Sequence, residues 1–222
     1  MRCSQARILV WFCSDNGGLK VTPESVNALR GLKGSVYEGG LRVPAIIEWP
    51  SVITKAAISN TPAGVVDIFP TLADLVGLPK SAMLQPQDGS SLKLWIEGSI
   101  PARREKPIGF RYMNAGAMVD NHFKLVTQKL GSGEYELYDL AKDPKESKNL
   151  YTARPEVAKR LTAVFEKWSQ SVDASDAGKD YPEGHLTDPN PRRMFWTDLP
   201  DYEPYFDEWK KRPEYASRLK DK

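Results

Sequence analysis

Residues 8–18 read I-L-V-W-F-C-S-D-N-G-G, and this stretch decides the fold class. Residues 8–13 form an uninterrupted apolar run, which is typical of a strand covered on both faces in a parallel α/β sheet. The run stops at the turn-forming cluster 14–18. Because ligands of open α/β sheets bind beyond the carboxyl ends of the strands, Asp15 and Asn16 stand where a functional site is expected.

Composition excludes several classes of protein. The chain has 222 residues with 31 Lys and Arg against 29 Asp and Glu, and this balance argues against a general nucleic-acid binder. No apolar run approaches the roughly 20 residues that a membrane-spanning helix needs, so no membrane span is predicted. Hydrophobic residues make up 41%, which is too many for a wholly disordered chain. The only cysteines, Cys3 and Cys13, cannot build a disulfide framework.

The next elements along the sequence continue the α/β part of the chain. A glycine-punctuated loop over 31–40 precedes a second predicted strand over 43–49, which a proline stops. The spacing of apolar residues then predicts a helix over 66–77, with Asp67 as its N-cap and Gly77 at its end.

The second half of the chain predicts a smaller α+β subdomain. Strand-like segments at 107–112, 117–127 and 134–140 predict an antiparallel meander. An amphipathic helix over 155–172 covers one side of it. Residues 173–222 are rich in proline, aspartate and aromatic side chains, which predicts an extended tail that packs onto the body or a partner. The predicted boundaries are therefore 1–106 for the α/β part, 107–172 for the small subdomain and 173–222 for the tail.

Most familiar catalytic signatures are absent. The sequence contains no His-x-x-x-His or Cys-x-x-Cys pair for zinc and no phosphate-binding P-loop. Its histidines, His122 in a predicted turn and His185 in the tail, are interpreted as surface residues.

Three residues remain as candidates for chemistry. Asp15 and Asn16 offer the carboxylate and amide oxygens that calcium prefers. Lys33 lies on the loop that returns to the same sheet edge, where an ammonium group could hold an anionic substrate. From spacing alone the alternative stays open, because Asp-Asn-Gly-Gly is also a common turn composition and a lysine between glycines is usually just exposed.

Five segments, in order, resemble the C-terminal half of the type I sulfatases of the alkaline-phosphatase-like superfamily. They lie at 10–18, 31–50, 66–77, 87–92 and 135–150, and the most specific is G-x-K-G-x-x-x-E-G-G-x-R-V-P at 31–44. The resemblance implies an α/β fold with a partial alkaline-phosphatase-like mixed sheet. A small α+β subdomain, an antiparallel meander plus a C-terminal helix, would come after it.

The same resemblance implies roles for the candidate residues. In such sulfatases the S-D-N-G segment supplies two calcium ligands, here Asp15 and Asn16, and the G-x-K-G lysine, here Lys33, contacts the sulfate ester. Calcium and lysine together would stabilise charge on the sulfuryl group. Glu38 and Arg42 are interpreted as structural residues that brace the glycine turns through an ion pair or hydrogen bonds.

The sequence departs from the family in what it lacks. The family nucleophile is a formylglycine made from the cysteine of a C-x-P/A-x-R motif upstream of S-D-N-G. Cys3-Ser4-Gln5-Ala6-Arg7 imitates the motif, but Gln5 replaces the proline or alanine and the next residues enter the predicted strand. We therefore expect no catalytic nucleophile in this chain, an incomplete Ca²⁺ site, and dependence on a missing N-terminal half. Cys13 is interpreted as a small core residue.

The predicted function is that of a C-terminal sulfatase fragment, inactive alone, acting on sulfate esters that could belong to sulfated carbohydrates. A non-catalytic binding module derived from this fold, or a phosphodiesterase or phosphonate hydrolase of the same superfamily, remains an alternative. Sulfatases are commonly exported, periplasmic or lysosomal. No signal peptide is recognised in this sequence, so it assigns no compartment.

Overall fold

The computed structural model describes residues 7–19, 28–180 and 195–220. The chain divides into two compact units, Met1–Pro182 and Glu183–Lys222. The described strands are β1 (Val10–Cys13), β2 (Ala45–Glu48), β3 (Ile108–Tyr112), β4 (Ala115–Asp120), β5 (Phe123–Thr127) and β6 (Glu136–Asp139). The described α-helices are α1 (Glu38–Leu41), α2 (Ile68–Leu75), α3 (Lys93–Ile96), α4 (Pro155–Asp176), α5 (Phe206–Trp209) and α6 (Pro213–Ala216).

The first two strands form an antiparallel pair, in which Val10 lies opposite Glu48 and Cys13 opposite Ala45. The prediction of a parallel strand buried on both faces was wrong for the described chain. Val10 and Phe12 are 51% and 60% exposed. An apolar run indicates that a strand suits an apolar environment. It does not indicate whether the neighbouring strand runs parallel or antiparallel to it.

Helix α2 comes after a short 3-10 helix, Val65–Asp67. Gly77 has a φ of 75°, and the Leu78 amide donates to the Ala73 carbonyl, so the helix ends on a glycine as predicted. Asp67 occupies the N-cap position of α2, as predicted, but its side chain makes no cap bond to that helix. The buried carboxylate instead accepts a bidentate pair from Arg104 at 2.7 and 2.8 Å.

The meander is a four-stranded antiparallel sheet in the order β3-β4-β5-β6. The predicted segment 117–127 is two strands, because the chain turns at Asn121, whose φ is 56°. Helix α4 is longer than the predicted 155–172 and ends at Asp176. It covers one face of the sheet, where Leu161 and Phe165 pack on Met118, Leu125 and Leu137. The predicted antiparallel meander and its covering helix are confirmed.

The other face of the meander packs against the glycine-rich loop. Val36 and Tyr37 of that loop share a core with Ala117, Val126 and Tyr138. The sheet is therefore enclosed by a helix on one side and by the segment that carries Lys33 on the other. In the part of the chain that the structure describes, no helix has the length and apolar content that a bilayer crossing requires.

The second unit is described from residue 195 to residue 220. This described part consists of short 3-10 and α-helical turns, so it is not the extended segment that the sequence predicted. Trp209 is its centre, with ring contacts to Trp196, Tyr202, Tyr205, Phe206 and Tyr215. The aromatic side chains of this described part therefore pack on one another in a small local core.

Candidate active site

The candidate site begins at the turn after β1. Asp15 is exposed and Asn16 is half-buried. The Ser14 hydroxyl donates to the Asn16 carbonyl at 3.0 Å, and the Asn16 side-chain nitrogen donates to the Gly17 carbonyl at 2.9 Å. These bonds fix the backbone of the turn and place the carboxylate of Asp15 at the surface.

The loop that carries Lys33 lies against this turn. The Lys33 amide donates to the Gly18 carbonyl at 2.9 Å, and the Gly17 amide donates to the Gly40 carbonyl at 2.9 Å. Lys33 itself is exposed. The structure therefore brings the backbones of the two predicted segments into direct contact, with Asp15 and Lys33 on the surface beside it.

Close backbone contact explains the glycines of both segments. A Cβ atom on Gly17 would lie 1.9 Å from the carbonyl oxygen of Gly39. A Cβ on Gly40 would lie 2.1 Å from the carbonyl oxygen of Ser35. A side chain at Gly17 would push the turn away from the loop, and one at Gly40 would distort the loop itself, so both glycines support the position of Lys33 beside the turn.

Glu38 braces the loop, as the sequence predicted. It begins α1, is 7% exposed, and its Oε1 lies 2.9 Å from the Nζ of Lys124. Arg42 contributes less: its guanidinium reaches Glu38 only at 4.0 Å and is largely in solvent. An exposed, long contact of this kind adds little stability.

Sequence reasoning missed the partners of Glu38. Lys124 has no exposed surface and lies 2.9 Å from a second carboxylate, that of Glu146, which is 1% exposed. Glu146 also accepts the Glu38 amide at 2.7 Å. Burial raises the pKa of Glu146, and the nearby charge of Lys124 opposes that rise. Because lysine is rarely buried, a lysine alternating with apolar residues in a strand resembles an ordinary surface position, and the sequence gives no signal for this cluster.

A second polar group holds the start of the loop to the meander. The Arg30 guanidinium lies 3.8 Å from the ring centre of Tyr37 and donates to the Tyr138 hydroxyl at 2.8 Å. Both tyrosine hydroxyls donate to Glu136, at 2.7 and 2.8 Å. Burial and the hydrogen bond to Glu136 raise the pKa of Tyr138 to about 12. The loop is thus attached to β6 as well as to β5.

A family profile matches residues 32–171, which is more than half of the chain. It describes the C-terminal region of N-sulphoglucosamine sulphohydrolase. The chain belongs to this sulfatase family. The matched range contains Lys33, Glu38, Lys124 and Glu146, and it begins after Asp15 and Asn16.

Named relatives are sulfatases. A protein called sulfatase from Formosa agariphila is 35% identical over 164 residues, which are 66% of this chain and 29% of the relative. N-acetylgalactosamine-6-O-sulfatase of Bacteroides thetaiotaomicron is 29% identical over 150 residues, 62% of this chain and 29% of that protein. This chain therefore spans less than a third of the length of either relative.

A solved structure shares the fold of this chain. The crystal structure of Ps i-CgsB aligns with a TM-score of 0.61 at 27% identity, covering 72% of this chain and 36% of that one. The predicted alkaline-phosphatase-like fold class is confirmed, and the chain corresponds to the C-terminal region of a sulfatase.

Only part of a calcium site can be built from this sulfatase region. The described residues contain no group of three or more His, Cys, Asp or Glu side chains that could hold a metal ion. Asp15 and Asn16 fit calcium in their donor chemistry, because both offer oxygen and the Asn16 nitrogen is already occupied by Gly17. Calcium takes about six to eight oxygen ligands, so these two side chains would form a minority of its shell.

Of the two cysteines and two histidines of the chain, the structure describes one of each. Cys13 is a free, half-buried thiol in β1, and His122 is exposed in the turn between β4 and β5. Cys3 and His185 lie outside the described residues.

Proposed function

We propose that this chain supplies the substrate-binding C-terminal portion of a sulfatase that hydrolyses sulfate esters of carbohydrates. The observation that carries the proposal is the contact between the Lys33 amide and the Gly18 carbonyl, at 2.9 Å. It puts an exposed ammonium side chain beside the turn that bears Asp15 and Asn16. The sulfatase names of the relatives support the same reaction class.

In this proposal, Lys33 binds the non-bridging oxygens of the sulfate ester. The negative charge on those oxygens and on the leaving oxygen changes as the bond between sulfur and the alcohol oxygen breaks. A fixed ammonium group stabilises this charge. Asp15 and Asn16 would hold calcium, which would supply further positive charge at this site. The nucleophile, a formylglycine, and the other calcium ligands come from residues outside this sequence.

A carbohydrate is the substrate class that the surroundings of Lys33 favour. Tyr112, at the end of β3, is 51% exposed. Its ring borders the residue after Lys33, since a Cβ on Gly34 would lie 3.6 Å from the ring. An exposed aromatic face beside an anion-binding group suits a sulfated sugar ring. Among the relatives, N-acetylgalactosamine-6-O-sulfatase is named for a sugar, and Ps i-CgsB has a structure in complex with k-i-k-neocarrahexaose.

The test compares the purified chain with the joined protein, which is the same chain fused to the region encoded immediately upstream of it. Each is assayed on a chromogenic aryl sulfate and on a panel of sulfated monosaccharides. We expect no turnover by the chain alone and calcium-dependent turnover by the joined protein. Turnover by the chain alone that disappears in Cys3→Ser, or no turnover of any ester by the joined protein, would contradict the proposal.

A further inference from the structure

The cluster of Lys124, Glu38 and Glu146 connects the meander to the candidate site. Lys124 is on β5, and its ammonium lies 2.9 Å from each carboxylate. Glu146 lies after β6 in the chain and binds both the amide of Glu38 and the charge of Lys124. All three side chains are at least nine-tenths buried, so no solvent competes for these contacts.

From Glu38 the connection continues through the backbone to both halves of the site. Glu38 and Gly40 belong to the same turn of helix, α1, and Gly40 accepts the amide of Gly17 beside Asn16. On the other side, the loop closes on itself through the Gly39 amide and the Arg30 carbonyl, at 2.7 Å. The position of Glu38 therefore determines how the loop with Lys33 lies on the turn.

Joining two parts of a protein through buried charges costs free energy. Apolar side chains of similar volume often hold such parts together at least as well, because buried ions lose their hydration. A hydrogen-bonded ion pair differs in being directional, and the Lys124 ammonium donates such a bond to Glu38 Oε1 at 2.9 Å. Here this bond fixes the position of Glu38, the first residue of α1, at the point where the loop leaves the meander.

We propose that Lys124 and Glu146 are positioning residues of the sulfatase site, which act through Glu38 to hold the Lys33 loop against the calcium-binding turn. Neither residue reaches the surface at which Lys33 is exposed, so neither contacts substrate. This inference rests on the proposed function. It adds that the C-terminal meander controls turnover through a buried contact.

The first measurement is amide hydrogen exchange on the 222-residue chain, detected by mass spectrometry. The variants are Lys124→Met and Glu146→Gln, and the control is Arg104→Met, which breaks a buried ion pair of the same unit away from the loop. We expect peptides covering 28–42 to exchange about 10-fold faster in both variants, equivalent to about 1.4 kcal/mol of local stability. In the control, exchange should rise at 64–77 and stay unchanged at 28–42.

The second measurement is steady-state kinetics of the joined protein. Lys124→Met should lower kcat by about 10- to 100-fold with a smaller change in KM, because misplacing a charged group affects the transition state most. Lys124→Arg should restore part of the loss. Arg104→Met should keep kcat within about twofold at a temperature where all proteins are folded.

The two measurements separate this inference from the proposed function. Unchanged exchange at 28–42 in Glu146→Gln, or a kcat that varies with melting temperature equally in variant and control, would overturn the positioning role. If Lys124→Met does not fold, Glu146→Gln and Lys124→Arg give the same comparison. If the wild-type joined protein hydrolyses no sulfate ester, the proposed function fails, and the exchange data still decide whether the cluster holds the loop.

Discussion

The backbone nitrogen of Lys33 lies 2.9 Å from the carbonyl oxygen of Gly18. This bond joins two segments that are separate in the sequence and are not paired with each other as strands of the sheet. It leaves the Lys33 side chain exposed next to the turn of Asp15 and Asn16. Changes to the residues that form or surround this contact should therefore alter activity and stability in measurable ways.

Replacing Lys33 by alanine should lower kcat/KM of the joined protein for sulfate esters by about 10²- to 10³-fold. That is the usual loss when one charge-stabilising group is removed from a reaction centre. The matched control is Lys142→Ala, since that lysine side chain is 80% exposed. Equal activities of the two variants in a chromogenic sulfate assay would show that Lys33 does not touch the ester.

Removing calcium should destabilise the joined protein. At a calcium concentration 100 times its dissociation constant, binding adds about 2.7 kcal/mol to the free energy of unfolding. Asp15→Ala should remove most of this gain, whereas Glu97→Ala, another exposed carboxylate, should keep it. Thermal melting with calcium and with a chelator measures both effects, and a calcium-induced rise in melting temperature that survives in Asp15→Ala would exclude that ligand.

Gly40→Ala should distort the glycine-rich loop. Its Cβ would lie 2.1 Å from the Ser35 carbonyl oxygen, and the backbone must move to relieve that overlap, at a cost of about 1–3 kcal/mol or more. In Gly64→Ala the new Cβ meets Ile108 at an ordinary 3.6 Å, so the cost should stay near ~1 kcal/mol or less. Urea denaturation of the chain compares them, and equal losses would mean that the loop yields easily.

The stability difference between wild type and Glu146→Gln should depend on pH. Burial raises the pKa of Glu146 above its reference of 4.5, while Lys124 opposes the rise and the neighbouring carboxylate Glu38 adds to it. A carboxyl with a raised folded pKa stabilises the fold while protonated, and this contribution is lost as pH rises through that pKa.

Glu146→Gln should therefore be least favourable, relative to wild type, near pH ~4. Its disadvantage should shrink as pH rises from 4.5 through the raised pKa, because only the wild type must then bury a second negative charge. Denaturation of both proteins at several pH values between about 4 and 8 tests this. A difference that widens toward neutral pH would mean that the ionised form is favoured in the fold.

Alkaline unfolding should involve Tyr138. Burial and its bond to Glu136 raise the pKa of this hydroxyl to about 12, from 10.0 for a free tyrosine. Between these values the unfolded state ionises first, so the folded state loses stability as pH rises. Tyr138→Phe should lose stability less steeply over this interval than wild type, as measured by circular dichroism. Parallel curves would indicate that Tyr138 ionises normally.

Local patterns predicted the small subdomain well. Period-2 alternation, an amphipathic helix and glycine-marked turns each report on nearby residues, and they located the meander, α4 and the end of α2. The segment 117–127 is two strands joined at the turn that the sequence predicted at residues 121–122. The N-cap position of Asp67 was predicted, but the binding of its carboxylate to Arg104, which is distant in sequence, was not.

The arrangement around the site could be predicted only in part. Motif spacing indicated Lys33, Asp15 and Asn16, but the direction of the β1–β2 pair depends on a contact between distant segments. The burial of Lys124 and Glu146 could not be predicted for the same reason, because it arises only when the loop covers the second face of the sheet. Their residue types alone predict that both side chains are exposed to solvent.

One ammonium shared by two enclosed carboxylates also limits how this sequence can change. Loss of Lys124 leaves two carboxylates without a cation in the interior, whereas loss of one carboxylate still leaves a matched pair. We therefore expect sulfatases of this family that lack a lysine at position 124 to lack the acidic residues at positions 38 and 146 as well, while sequences that keep the lysine can keep one glutamate or both.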